Sequence, residues 1–235
     1  MFLLAALGTL AGLITTLSGF GGGLLLVTAL ALIWDPLSAL TLSSLALLAG
    51  NAQRLWLFRH DWDRRLAMPI VLGAIPGALL GALFATKAPV WILQVAIVAM
   101  TLLSTLRLLA KTPPTLPRYL LAPGAFGVGA LSATTGGGGF LLGPLLLSAG
   151  ATGGRYIAVA ASAGTAIHFF RIAGYGAGGM IHLDLIGSVV IITIAILLGN
   201  LLGRYVRIRM GATRIRWIEY GAPVVCACLA LAGLV

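Results

Sequence analysis

Ala133-Thr134-Thr135-Gly136-Gly137-Gly138-Gly139-Phe140-Leu141-Leu142-Gly143-Pro144 places four consecutive glycines in the middle of a long apolar run. A partner lies 116 positions earlier, Leu17-Ser18-Gly19-Phe20-Gly21-Gly22-Gly23-Leu24-Leu25-Leu26-Val27-Thr28. Glycine costs about 1 kcal/mol relative to alanine inside a helix, so neither run predicts an uninterrupted helix. The expected structure is a half-helix, an unwound turn and a second half-helix. The second half-helix would begin with bare backbone N–H groups, which favour an anion.

The flanking sequence predicts an all-α polytopic membrane protein. Of the 235 residues, 60% are hydrophobic and 9% charged, with mean hydropathy +1.09; soluble domains carry about 25% charged residues. The net charge of +10 sits in loops between apolar runs, so it reads as an orientation signal and not as a nucleic-acid surface. Cys226 and Cys228 lie in the last apolar run without His or acidic company, which argues against a metal site. No basic residue precedes the first apolar run, so a cleaved signal peptide is not expected.

The apolar segments span approximately residues 2–33, 37–58, 66–86, 90–110, 118–150, 155–175, 181–203 and 214–235. Six have the roughly 20 residues of a membrane-spanning helix. The first and fifth, at roughly 32 residues, are too long for one crossing and too short for two. Broken, re-entrant half-helices meeting at the glycines fit their length. If all eight segments crossed once, the basic residues would divide eight against seven. If the fifth dips in and returns, 13 of 15 fall on one side, leaving Lys87 and Arg171 opposite. The positive-inside tendency selects the second arrangement, with the basic loops cytoplasmic.

An internal repeat extends this to the first segment. Gly21-Gly22-Gly23 matches Gly137-Gly138-Gly139; Asn51 and Arg54 match His168 and Arg171 at an offset of 117; Gly77 and Gly81 match Gly199 and Gly203 at 122. Residues 1–116 and 117–235 thus read as two copies of one unit, each a re-entrant segment plus three crossings. An odd number of crossings inverts one copy relative to the other, the plan of many secondary transporters. The four-residue glycine spacings read as helix-packing faces.

At these residues the chain resembles the sulfite exporter TauE/SafE family of membrane permeases. The family pattern, a GxGGG-type run followed five positions on by proline, is met by Gly19-Phe20-Gly21-Gly22-Gly23 and by Gly137-Gly138-Gly139 with Pro144. Thr28 stands where the first half's proline is expected, and Thr135 where the second half's leading glycine is expected. The resemblance implies a plasma-membrane permease, with sulfur oxyanions or organosulfonates as exported substrates.

Expected substrate-binding residues are Ser18, Gly21, Gly22, Gly23, Thr134, Thr135, Gly136, Gly137, Gly138 and Gly139 at the two tips, with Asn51 and His168 on neighbouring segments. The hydroxyls of Thr15, Thr16 and Ser132 join the tips' polar lining. Arg54 and Arg171 admit two readings, a substrate role or snorkelling to the interface from a helix end. The five acidic residues fall at loops or helix ends, which argues against a cation carrier. Trp34, Trp56, Trp62, Trp91 and Trp217 fall at segment ends, as interfacial anchors do.

The leading function is a small-anion permease, an exporter working by alternating access, with no cofactor and the lipid bilayer as its surroundings. A permease for another small organic anion, such as a carboxylate, stays open, as does a non-transporting assembly subunit; the oligomeric state is also open. A hydrolase built on Ser18 and His168 lacks a nucleophile motif and leaves the glycine duplication unexplained.

Overall fold

A computed structural model describes residues 1–19, 21–109, 117–181 and 183–209. The eighth apolar segment, with Cys226, Cys228, Trp217 and Glu219, lies outside the described residues. Within them all regular structure is helical: α1 (Phe2–Ser18), α2 (Gly22–Leu30), α3 (Pro36–Leu57), α4 (Arg64–Lys87), α5 (Val90–Leu109), α6 (Leu121–Thr135), α7 (Gly138–Ser148), α8 (Gly153–Ala177) and α9 (Ile186–Arg209), plus short 3₁₀ turns. Of these, α4, α8 and α9 are long and apolar enough to cross a membrane on their own.

Local chemistry sets the boundaries. Asp35 caps α3, its carboxylate accepting from the N–H groups of Leu37 and Ser38 at 3.0 Å, with Pro36 opening the helix. Asp63 caps α4 through Arg65 and Leu66 at 2.8 and 3.3 Å. Both long segments break at glycine. α1 ends at Gly19 (φ 85°) and α6 at Gly136 (φ 71°), each a left-handed residue in a region that L side chains enter only at a cost of about 1–2 kcal/mol.

Beyond each break the chain folds back on itself. A Cβ placed on Gly22 would collide with the carbonyl of Ala11 and the hydroxyl of Thr15. One placed on Gly138 would lie 2.9 Å from the carbonyl of Val128 and also strike Ser132. Both ends of the fifth segment also meet, because Leu121 and Ala149 line one cavity. At 1.5 Å per residue, the 17 residues of α1 and the 15 of α6 reach about 25 and 23 Å, short of a roughly 30 Å hydrocarbon core.

The packing groups exchange helices between the two sequence halves. One core joins α4 to α6, α7 and α8; another joins α9 to α1, α2 and α3. Glycine makes both crossings close. In one, Gly77 faces the backbone of Phe126 and Ala130, and Gly129 that of Ala74 and Ala78. In the other, Gly199 faces Thr9 and Leu13, and Gly12 faces Ile196 and Asn200. The first set maps onto the second by the offsets of 117 and 122 already read in the sequence. The outer faces of α4 and α9 expose Met68, Leu72, Leu80 and Phe84, and Val190, Ile194, Leu198 and Leu202; such apolar stripes suit lipid, and the protein is membrane-embedded.

These crossings carry a stability prediction. Backbone cannot rotate out of the way of a new methyl, so Gly77→Ala and Gly199→Ala should each cost about 1–3 kcal/mol through overpacking. Gly127, also in α6, has nothing within 4 Å of its Cβ position, and Gly127→Ala should be neutral or stabilising by up to about 1 kcal/mol. Melting temperatures in detergent check this; equal shifts for Gly77→Ala and Gly127→Ala would contradict the crossing geometry.

Candidate functional site

The two breaks face each other. The Cβ position of Gly23 lies 3.6 Å from the carbonyl oxygen of Gly136, while Gly136 packs on Val27 and Gly137 on Leu24 and Met100. Between them is a cavity of about 60 Å³. On the scale where one water needs about 10–15 Å³, it holds a few waters or one compact ion. Gly19, Gly21 and Gly23 form one side, and Gly136, Gly137 and Gly139 the other. The polar side chains in the wall are Thr15, Asn51, Arg54, Ser132 and His168.

These polar residues form two related groups. From α3, Arg54 Nη1 donates to the carbonyl of Thr15 at 2.9 Å and Nη2 to Asn51 Oδ1. From α8, Arg171 Nη1 donates to Ser132 Oγ at 3.4 Å and to His168 Nδ1 at 3.3 Å. Thr15, Asn51 and Arg54 map onto Ser132, His168 and Arg171 by one offset of 117. A guanidinium only donates, so Nδ1 of His168 accepts from it and Nε2 is left to carry the ring proton.

Both arginines are buried, Arg54 at 4% exposure and Arg171 at 0%. Snorkelling to the interface is therefore excluded: Arg54 is turned toward α1, and Arg171 toward Ser132, the Leu40 carbonyl and the Tyr175 hydroxyl. Every partner is neutral. The salt bridge among the described residues is Arg155–Asp63, at 2.6 Å and partly exposed; neither buried arginine has a carboxylate. Arg171 Nε has no hydrogen-bond partner among the described residues. Burying an unpaired ion costs several kcal/mol even after relaxation. Arg54 offsets that cost with neutral acceptors and an open cavity.

A model of the family described as sulfite exporter TauE/SafE matches residues 4–230. The chain belongs to the sulfite exporter TauE/SafE family. It has the function of that family in kind, a membrane permease of the sulfite-exporter type, and the TauE/SafE family is one of transporters and not of enzymes. No curated protein and no solved structure matches the chain.

Of the residues singled out in this TauE/SafE sequence, Gly21, Gly23, Asn51, Gly136, Gly137, Gly139 and His168 line the cavity. Ser18, Gly22, Thr134, Thr135 and Gly138 do not. Gly22 and Gly138 are instead the contact points of the two hairpins. The Ser18 and Thr134 hydroxyls donate to the carbonyls of Ile14 and Ala130 one turn back, at 2.8 and 3.2 Å. Thr135 Oγ1 donates to the Leu131 carbonyl at 2.6 Å and accepts from the N–H of Gly137 at 3.1 Å, so one of the expected bare donors is occupied. Thr16 and Gln53 belong to a separate cross-link: Asn200 of α9 accepts from Thr16 and donates to Gln53 and to the Gly50 carbonyl, each at 2.9 Å.

Arg54, open in the sequence between a substrate role and the interface, lines the cavity. The offset that pairs it with Arg171 is the signal that could have placed it there, since two interface-seeking arginines need not keep one register.

Proposed function

We propose that this permease exports a compact oxyanion, sulfite or a small organosulfonate, held between the two glycine breaks. The observation that carries the reading is the charge of the cavity: Arg54 in its wall, Arg171 behind Ser132 and His168, and no carboxylate among the described lining residues. A guanidinium and preorganised N–H donors match an oxyanion. The rest of the wall includes Leu24, Leu47, Phe140 and Ile167, and a substrate's ammonium group would find no carboxylate among the described lining residues. Asn51, His168 and the N–H groups near Gly21, Gly23 and Gly139 supply the remaining contacts.

The working cycle is alternating access between two inverted halves. Support comes from the duplicated glycine crossings, the paired hairpins and the Thr15–Asn51–Arg54 and Ser132–His168–Arg171 groups. Removing the buried Arg54 and Arg171 from the loop-charge count leaves 12 basic residues on one side and Lys87 on the other. That favours basic loops in the cytoplasm of a plasma membrane. The membrane potential then assists export by about 2.3 kcal/mol per charge per 100 mV.

Flux into proteoliposomes under an imposed potassium-diffusion potential tests this. Sulfite flux should rise with the potential that drives anions, small sulfonates should compete, and choline should not move. Competition by lactate as strong as by sulfite would shift the substrate class to carboxylates. Absence of anion flux, or equal choline flux, would overturn the proposal.

A further inference from the structure

A second cavity, of about 290 Å³, lies where α4 and α6 begin and α8 joins them. Its polar wall is Arg65, Arg118, Arg155 and Asp63; its apolar wall includes Leu66, Pro69 and Leu121. The single carboxylate in that wall is fully engaged. Asp63 Oδ1 accepts the N–H groups of Arg65 and Leu66 at 2.8 and 3.3 Å, and Oδ2 takes Arg155 at 2.6 Å. Asp61, the other acid at this end, is turned onto Gly154. The guanidinium groups of Arg65 and Arg118 have no ion pair or side-chain hydrogen bond among the described residues. One helix also starts here without a side-chain cap, α8 after Thr152, and the N–H groups of its first turn add to the positive field.

We infer that this cavity is a binding site for the phosphate headgroup of an anionic phospholipid, distinct from the transport cavity. Charge complementarity sets the head: Arg155 and Asp63 satisfy each other, and Arg65 and Arg118 are left as two unpaired cations among the described residues. The surroundings set the rest. A free oxyanion would fill a small part of the volume, and within the wall Leu66 and Leu121 are already buried in the core, which leaves Pro69 and the rim beside it as the apolar contact. On the lipid-facing side, Met68 and Leu72 are exposed one and two turns deeper along α4, and Tyr119 and Leu120 are exposed beside Arg118. An occupant with an anionic head and acyl chains meets the unpaired arginines and this exposed apolar rim at once, and a basic pocket between the ends of membrane helices suits such a head. Exposed basic residues that merely orient the chain, such as Arg204 on α9, do not border this cavity.

The test uses the intact protein in nanodiscs of equal phosphatidylglycerol and phosphatidylcholine, with retained lipid counted by native mass spectrometry. The wild type should retain phosphatidylglycerol preferentially. The double variant Arg65→Gln, Arg118→Gln should weaken that retention about thirtyfold, at roughly fivefold for each basic residue near an anionic headgroup. Each single variant should lose about fivefold, Arg118→Lys should keep most of it, and Arg204→Gln should leave it unchanged. Equal retention of the two lipids by the wild type, or equal loss in Arg204→Gln, would overturn the inference. Displacement of phosphatidylglycerol by millimolar inorganic phosphate or by sulfite would overturn the lipid assignment in favour of a free-oxyanion site.

Discussion

Arg54→Gln should abolish anion transport while leaving the ligand-free protein as stable as the wild type or more so. The two effects have opposite signs because Arg54 is a buried cation with neutral partners, the Thr15 carbonyl and Asn51 Oδ1. Removing one partner of a buried, hydrogen-bonded charge pair costs about 2–5 kcal/mol. For a bound anion that is a loss of roughly thirtyfold to several thousandfold in affinity. In the empty protein the same change removes a desolvated ion whose burial costs several kcal/mol, against hydrogen bonds to a charged group worth about 1.5–3 kcal/mol each. Glutamine keeps a donor for Asn51, so the balance falls near zero or on the stable side. Thermal unfolding in detergent and proteoliposome flux read the two effects separately. A melting temperature well below wild type without ligand would make Arg54 a structural residue; undiminished flux would remove it from the site.

Gly136→Ala should cut flux at least tenfold, whereas Gly150→Ala should keep it. Both glycines hold left-handed backbone, at φ 71° and 77°, so both substitutions carry the same conformational cost of about 1–2 kcal/mol. They differ in surroundings. A Cβ on Gly150 meets nothing within 4 Å, while one on Gly136 is driven into Val27, with Val27 Cβ at 2.8 Å. Overpacking adds about 1–3 kcal/mol, and the shift it forces opens the break that carries the cavity wall. Comparing the pair separates backbone strain from the meeting of the two tips. Equal flux in both variants would mean that the approach of α2 to the second break is irrelevant to transport.

The breaks were legible because consecutive glycines in an apolar run have one physical outcome. The fold-back of the fifth segment was legible from charge, since a crossing would have put Arg155 and the arginines from 204 to 216 opposite Arg118. The partner of each crossing glycine was not. The spacing of Gly77 and Gly81 announces a close neighbour and says nothing of its identity, and α4 finds it in α6, from the other half. The direction of a side chain was equally hidden. Arg54 lies three residues from the end of α3, where a guanidinium reaches the interface or the core with equal ease, and packing against α1 decides. Hydroxyls in apolar helices close onto the carbonyl one turn back by default, which is why Ser18 and Thr134, close to the glycines, donate to their own helices.

The most direct test of an anion held by buried arginine charge is calorimetric titration of sulfite into the purified protein. One saturable site per chain should appear in the wild type, vanish in Arg54→Gln and persist in Arg204→Gln. Unchanged heats in Arg54→Gln would contradict the assignment of the cavity between the glycine breaks as the anion site.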